Sequence, residues 1–156
     1  MSARTPQGSR RRRASSTPAS ARRGASRTKN DKQLAKVSEV CLALPGAERR
    51  LSGSHATFLV RKKVFAYFLD DHHGDGIVSV CVKSELGENV DRARRDPKRY
   101  YLPAYIGPRG WFGVRLDRGR VDWREVASVV ERSYRLTAPK TLVAKLDAAA
   151  KPRRSA

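Results

Sequence analysis

Two short stretches of the chain hold side chains with recognisable chemistry. Asp70-Asp71-His72-His73-Gly74-Asp75 gathers carboxylates and imidazoles, the donors of a divalent-metal site. A bound metal needs ligands converging from several directions, and the only other histidine, His55, has no helical ligand spacing to this pair. The glycine and aspartates around the histidines favour a solvated loop between strands, with no metal and no cofactor. Ser54-His55 sets a nucleophile beside a base. In extended chain such neighbours project to opposite faces, which separates them. The sequence also lacks a Gly-x-Ser-x-Gly elbow, a P-loop and a dinucleotide fingerprint. No catalytic residue is assigned, and the chain reads as a non-enzyme.

Cationic chemistry is far more abundant. The 156 residues include 34 Lys and Arg against 15 Asp and Glu, a formal net charge of +19. Residues 1–30 hold Arg10, Arg11, Arg12, Arg13, Arg22 and Arg23 among other cations, with no acid. Lys151, Arg153 and Arg154 repeat the pattern at the other end. An arginine run free of acids suits an arm that neutralises phosphates, and that reading is favoured over a solubilising tail. Within the apolar part of the chain, Arg61-Lys62-Lys63 separates two strand-like runs. Arg109 precedes a further run, and Arg118 and Arg120 follow it. Cations on such tips can contact phosphates, which position a protein without reading sequence. The competing role is to guard strand edges against aggregation. Arg92, Arg94, Arg95, Lys98 and Arg99 are interleaved with Asp91 and Asp96 and read as a solvated helix end. Trp111, Phe112 and Trp123 could stack on bases, but in a small domain they are expected in the core.

The elements that must carry these residues begin late. No Leu, Ile, Val or Phe precedes Leu34, so residues 1–30 are expected to be a disordered basic tail. They hold no secretory apolar region, and a transit helix would lack its bulky apolar face. No apolar run approaches the ~20 residues that span a bilayer. Cys41 and Cys81 sit in apolar periodic segments and read as buried thiols of a reducing cytoplasm. The folded domain is assigned to 31–150 and a short basic tail to 151–156.

Helical spacing of Leu34, Val37, Cys41 and Leu44 predicts a helix over about 31–43, ended by Pro45-Gly46. Residues 47–52 are a weak strand candidate. Residues 56–60 and 64–69 predict a hairpin, and 77–82 a further strand. Ser84 is expected to cap a helix running to about Arg95, with Leu86, Val90 and Ala93 or Arg94 along one side, Gly87 weakening it and Asp96-Pro97 stopping it. Residues 100–106 read as extended and 112–116 as a strand. Asp122 is a natural N-cap, with Glu125 completing a capping box and Val121 and Val126 a hydrophobic staple. Trp123, Val126, Ala127, Val130 and Tyr134 then share one helix side, and Pro139 opens a last helix. Strands followed by helices at the ends favour an α+β two-layer sandwich, an antiparallel sheet with helices on one face.

Several motifs on these elements resemble the MmcQ/YjbR family. They are Leu44-Pro45-Gly46-Ala47-Glu48, the strands around Phe58 and Phe65-Ala66, Val80-Cys81-Val82-Lys83, Gly110-Trp111-Phe112-Gly113-Val114, Asp122-Trp123 and Ser133-Tyr134-Arg135. The resemblance covers 31–147 and implies a CyaY-like (frataxin-like) fold. It further implies small bacterial cytoplasmic proteins, often described as DNA-binding through a proposed double wing of hairpins, with no established catalytic residues. Iron binding in frataxin relies on an acidic first helix, whereas Asp31 and Glu39 are the only acids on the expected helix here. The combined expectation is a non-enzymatic cytoplasmic protein that binds nucleic acid, DNA in particular. Arg10, Arg11, Arg12, Arg13, Arg22, Arg23, Arg61, Lys62, Lys63, Arg109, Arg118 and Arg120 would make mainly phosphate contacts. The alternative is a small-ligand or protein-interaction module that binds an acidic partner. No membrane contact is expected, and no protein partner is assigned.

Overall fold

Six strands build one antiparallel sheet. In a computed structural model describing residues 18–150, with side chains from residue 27, these are β1 (Ala47–Ser52), β2 (His55–Val60), β3 (Lys63–Asp70), β4 (Val78–Lys83), β5 (Tyr100–Tyr101) and β6 (Trp111–Arg115). They pair in the order β1-β2-β3-β4-β6-β5. The register sets Phe58 beside Ala66, Ala66 beside Val82 and Val82 beside Phe112, and likewise Phe68, Val80 and Val114. These side chains form the inner face of the sheet, and all are buried.

Helices α1 (Pro18–Leu42), α2 (Glu88–Arg95), α3 (Trp123–Thr137) and α4 (Lys140–Ala150) supply the second layer. Val37 and Cys41 of α1, Val126, Val130 and Tyr134 of α3, and Leu142 of α4 close the core over that face. The α+β sandwich is therefore as expected. Both cysteines are free and buried. Burial raises the Cys41 thiol well above its ordinary value, and burial likewise pushes Cys81 up to about 11.

Four local expectations need correction. The first helix begins at Pro18, so 18–30, expected to be disordered, is helical. Proline suits a first helical position, and the Ala and Arg that follow propagate a helix nucleated by the packed residues beyond them. The remaining stretches, 1–17 and 151–156, lie outside the described residues, Arg10, Arg11, Arg12 and Arg13 among them. Ser84 does not cap α2. Its hydroxyl donates to the Gly110 carbonyl at 2.9 Å, and Gly87, at φ 90°, takes the N-cap position. Helix α2 consequently buries Asn89 and leaves Leu86 81% and Val90 41% exposed. The extended stretch after Pro97 yields only two strand residues, 100 and 101.

At the start of α3, Asp122 accepts from the Arg124 and Glu125 amides at 3.1 and 3.2 Å, as a cap should. Glu125 does not complete the box, because its carboxylate is taken by Tyr100 at 2.7 Å and Arg92 at 3.2 Å.

The sheet departs from regularity at one place that matters. Phe58 faces Ala66 while Leu59 faces Val64, so Phe65 is an extra residue in β3, a β-bulge. The bulge turns Phe65 inward beside Ala66, where its ring meets Tyr134 edge-on at 5.5 Å. The Ser133 hydroxyl donates to the Phe65 carbonyl at 2.5 Å and accepts from the Lys83 amide at 2.9 Å. One helix side chain thus satisfies backbone groups on two strands. Ser133→Ala should lower stability by about 2 kcal/mol in urea unfolding, since it leaves buried backbone groups unpaired.

The β2–β3 connection is a two-residue turn, because Val60 pairs with Lys63. Both turn residues are left-handed, Arg61 at φ 50° and Lys62 at φ 66°. That is the type I′ geometry, which Asn-Gly adopts with far less steric conflict. Arg61→Asn combined with Lys62→Gly should therefore raise the unfolding free energy by about 1 kcal/mol.

Candidate nucleic-acid interface

Antiparallel pairing decides which cations can act together. Arg61 and Lys62 form the β2–β3 turn, Lys63 begins β3, and Arg109 lies in the 3-10 turn leading into β6. All four are exposed at the end of the sheet where Lys83 pairs with Trp111. Arg118 and Arg120 follow β6 at the opposite end, where the Leu116 amide donates to the Val78 carbonyl. The eight residues of β3 at ~3.3 Å each put about 25 Å between the two ends. The two basic tips expected to contact phosphates are therefore separate surfaces.

The second end is the richer one. Helix α1 reaches the sheet there, with the Asn30 amide donating to the Asp70 carboxylate at 3.2 Å. Arg22 and Arg23 lie on α1 before this point. Lys29, Lys32 and Lys36, spaced by three and four residues, line one wall of an open groove of about 850 Å³. Gly119, Arg120, Trp123 and Arg124 line the facing wall, at the turn into α3. A second cleft of about 400 Å³, lined by Lys98, Arg99, Arg115, Arg118 and Arg120, adjoins it across the same turn.

The surface cations divide into those held by a carboxylate and those that are not. Arg92, Arg99, Arg115, Arg132 and Arg135 each hold a carboxylate within 4.0 Å. Lys29, Lys32, Lys36, Arg120 and Arg124 are exposed, and none makes an ion pair among the described residues. Unpaired cations facing one another across a groove repel, and an anion between them removes that repulsion. Asp122 stands among them, but its carboxylate is engaged with the α3 amides. Half-buried Trp123 carries the Lys36 ammonium 5.3 Å from its ring centre. Gln33 forms the floor: its amide donates to the Leu116 carbonyl at 2.6 Å, while its buried Oε1 has no hydrogen-bond partner among the described residues.

The turn bearing Arg118 and Arg120 is anchored by its neighbours. Arg115 clamps Asp117 with Nε at 3.0 Å and Nη2 at 2.7 Å. Partial burial raises the Asp117 carboxyl, but the Arg115 hydrogen bonds and charge outweigh it and leave the group below its ordinary value.

Of the sequence-derived candidates, Arg118 and Arg120 enter the groove end, while Arg61, Lys62, Lys63 and Arg109 gather at the other. Sequence reasoning missed the three α1 lysines and Arg124 as contact residues. Their helical spacing was visible, but the wall opposite them was not. Trp111 and Phe112 are buried, as expected. At the other end, partial burial and the nearby Lys63 charge lower the Lys83 ammonium, which sits 5.4 Å from the Trp111 ring centre.

Neither the Ser54-His55 pair nor the His72-His73 loop forms the centre its residue types suggested. Ser54 is exposed, and the His55 Nδ1 accepts the Asp70 amide at 3.0 Å. Among the described residues, no three His, Cys, Asp or Glu side chains are grouped so as to hold a metal ion.

The family model described as YjbR matches residues 42–136, from the end of α1 almost to the end of α3. Among solved structures, the crystal structure of Deinococcus radiodurans protein DR2400, with the family-model domain DUF419, is similar. The likeness covers 64% of this chain and 74% of that chain, at a TM-score of 0.52 and 19% identity. At that identity it bears on the fold alone. No curated protein matches the chain.

The anchored turn carries a pH signature. Because the folded Asp117 carboxyl lies below its unfolded value, its stabilisation is present above the unfolded value and is lost as pH falls through the folded one. Asp117→Asn should therefore unfold at lower urea than the parent at pH 7. The two midpoints should begin to approach one another as pH falls below about 4, the range of an ordinary carboxyl, and should converge only once pH has passed through the lower folded value.

Proposed function

The chain belongs to the YjbR family, and we propose that this member is a non-enzymatic nucleic-acid-binding protein of the bacterial cytoplasm, acting on DNA through phosphate contacts. One observation carries the reading: five cations from α1 and the turn into α3 face one groove without an ion-pair partner among the described residues. Phosphates spaced along a backbone suit such a row, and contacts of this kind orient a protein without selecting a sequence. Arg22 and Arg23 on α1, with the arginine run from Arg10 to Arg13, would extend the contact along the polyanion. The Arg61-Lys62-Lys63 turn and Arg109 would form a second contact at the far end of the sheet.

Replacing Lys29, Lys32, Lys36, Arg120 and Arg124 together by Ala in the full chain tests the groove. Fluorescence anisotropy on duplex DNA between 50 and 200 mM salt should show the slope of log affinity against log salt becoming shallower by roughly 4. Alanines at Arg61, Lys62 and Lys63 should change it by less. Affinity unmoved by the groove substitutions would refute this interface. Binding to polyglutamate as tight as to DNA would favour an acidic protein partner instead.

A further inference from the structure

The outer face of the sheet, away from the helices, carries a further cavity, lined by aromatic and imidazole side chains. Tyr67, Cys81, Gly113 and Tyr101 lie side by side across β3, β4, β6 and β5. The Tyr101 ring rests directly on Gly113, where an added Cβ would come within 2.2 Å of it. Its hydroxyl is fixed by Ser79 at 2.7 Å. Glycine at that position is what allows an aromatic floor to lie against the strands.

Above this floor, the chain from Pro103 to Ile106 and the loop after β3 enclose a cleft of about 490 Å³. That volume is in the ~300–1,000 Å³ range of small-ligand sites. Although His55 is far from His72 and His73 in sequence, all three histidines of the chain line it. The His72 ring lies 5.3 Å from His55 and 3.9 Å from His73. Burial and the two neighbouring imidazoles hold His72 toward its neutral form. Tyr105 stands on the rim in a left-handed backbone at φ 67°, its side chain 85% exposed. A large aromatic ring held in water by a strained backbone is placed to close over something flat.

The lining also states what the occupant lacks. In a chain of net charge +19, no Lys or Arg among the described residues lines this cleft, and Asp75 is its only carboxylate. No permanently cationic side chain there would neutralise a phosphate or a carboxylate. Tyrosine and imidazole faces instead stack on flat rings or meet the edges of a heterocycle.

We propose that this cleft is a binding site for a planar aromatic heterocycle without net negative charge, held between the Tyr67 and Tyr101 floor and Tyr105. The site is independent of the basic groove and stands whether or not that groove binds nucleic acid.

Riboflavin serves as a neutral tricyclic probe, its fluorescence quenched on stacking against tyrosine. The full-length protein should quench it saturably. Tyr105→Ala, a change at an exposed position, should weaken binding about tenfold. Tyr67→Ala should weaken it similarly, while the five groove substitutions leave it unchanged. Flavin mononucleotide, the same ring with a phosphate, should bind this cleft no more tightly. Absence of saturable quenching, or quenching that ignores Tyr105→Ala and follows the groove substitutions, would overturn the assignment. So would a Tyr105-dependent preference for the phosphorylated probe.

Discussion

The docking of α3 onto the bulged strand is the constraint on which the remaining architecture depends. Three consecutive residues each tie the helix to a different part of the molecule. Ser133 bonds the bulge carbonyl of β3 and the last amide of β4. Tyr134 packs on Phe65 and donates its hydroxyl to the Pro45 carbonyl at 2.6 Å, holding the turn between α1 and β1. Arg135 reaches Asp147 of α4 at 2.7 Å. Buried backbone groups demand partners, so the bulge and the serine opposite it form one device. Because α3 is held in this way, its N-terminus and the Arg118–Arg120 turn stand at a defined place beside α1.

That placement creates the contrast between the two faces. On the helix side, cations left unpaired by the fold meet across an open groove, while the arginines nearer the core are engaged. Arg92 illustrates the second group: it bonds Glu88 and Glu125 and lies over the Tyr100 and Phe112 rings. Its role is to hold α2 against the sheet edge. On the outer face, tyrosines and histidines line a cleft with no lysine or arginine among the described residues. A single strongly basic chain thus offers two surfaces that suit ligands of unlike chemistry.

Much of the fold was legible because its signals are local. Asp122 caps α3 as its type and position require, and the apolar spacing of residues 126–134 marks the buried side of that helix. The edge strand β1 was a weak candidate, since Arg49 and Arg50 carry little strand signal. Pairing with β2 along its whole length holds it nonetheless, and Arg49 reaches Ser38 on α1 at 3.1 Å. Ser84 misled for an instructive reason. Helix α2 begins only at Glu88, with Gly87 at its N-cap, so Ser84 stands too early to cap it, and its hydroxyl donates to the Gly110 carbonyl instead. Glu125 was drawn from its capping box by Tyr100 and Arg92.

By itself the sequence determined the element types, the α+β sandwich, the buried thiols and aromatics and the excess of positive charge, since periodicity, capping and composition act over a few residues. Only the tertiary structure decided which charges share a surface. Antiparallel pairing sent Arg61–Lys63 and Arg118–Arg120 to opposite ends of the sheet. Helix packing brought Lys29, Lys32 and Lys36 across from Arg120 and Arg124, and strand register laid Tyr101 over Gly113 beneath the three histidines. Such groupings join residues tens of positions apart, and only the closing of the core brings them within reach of one ligand.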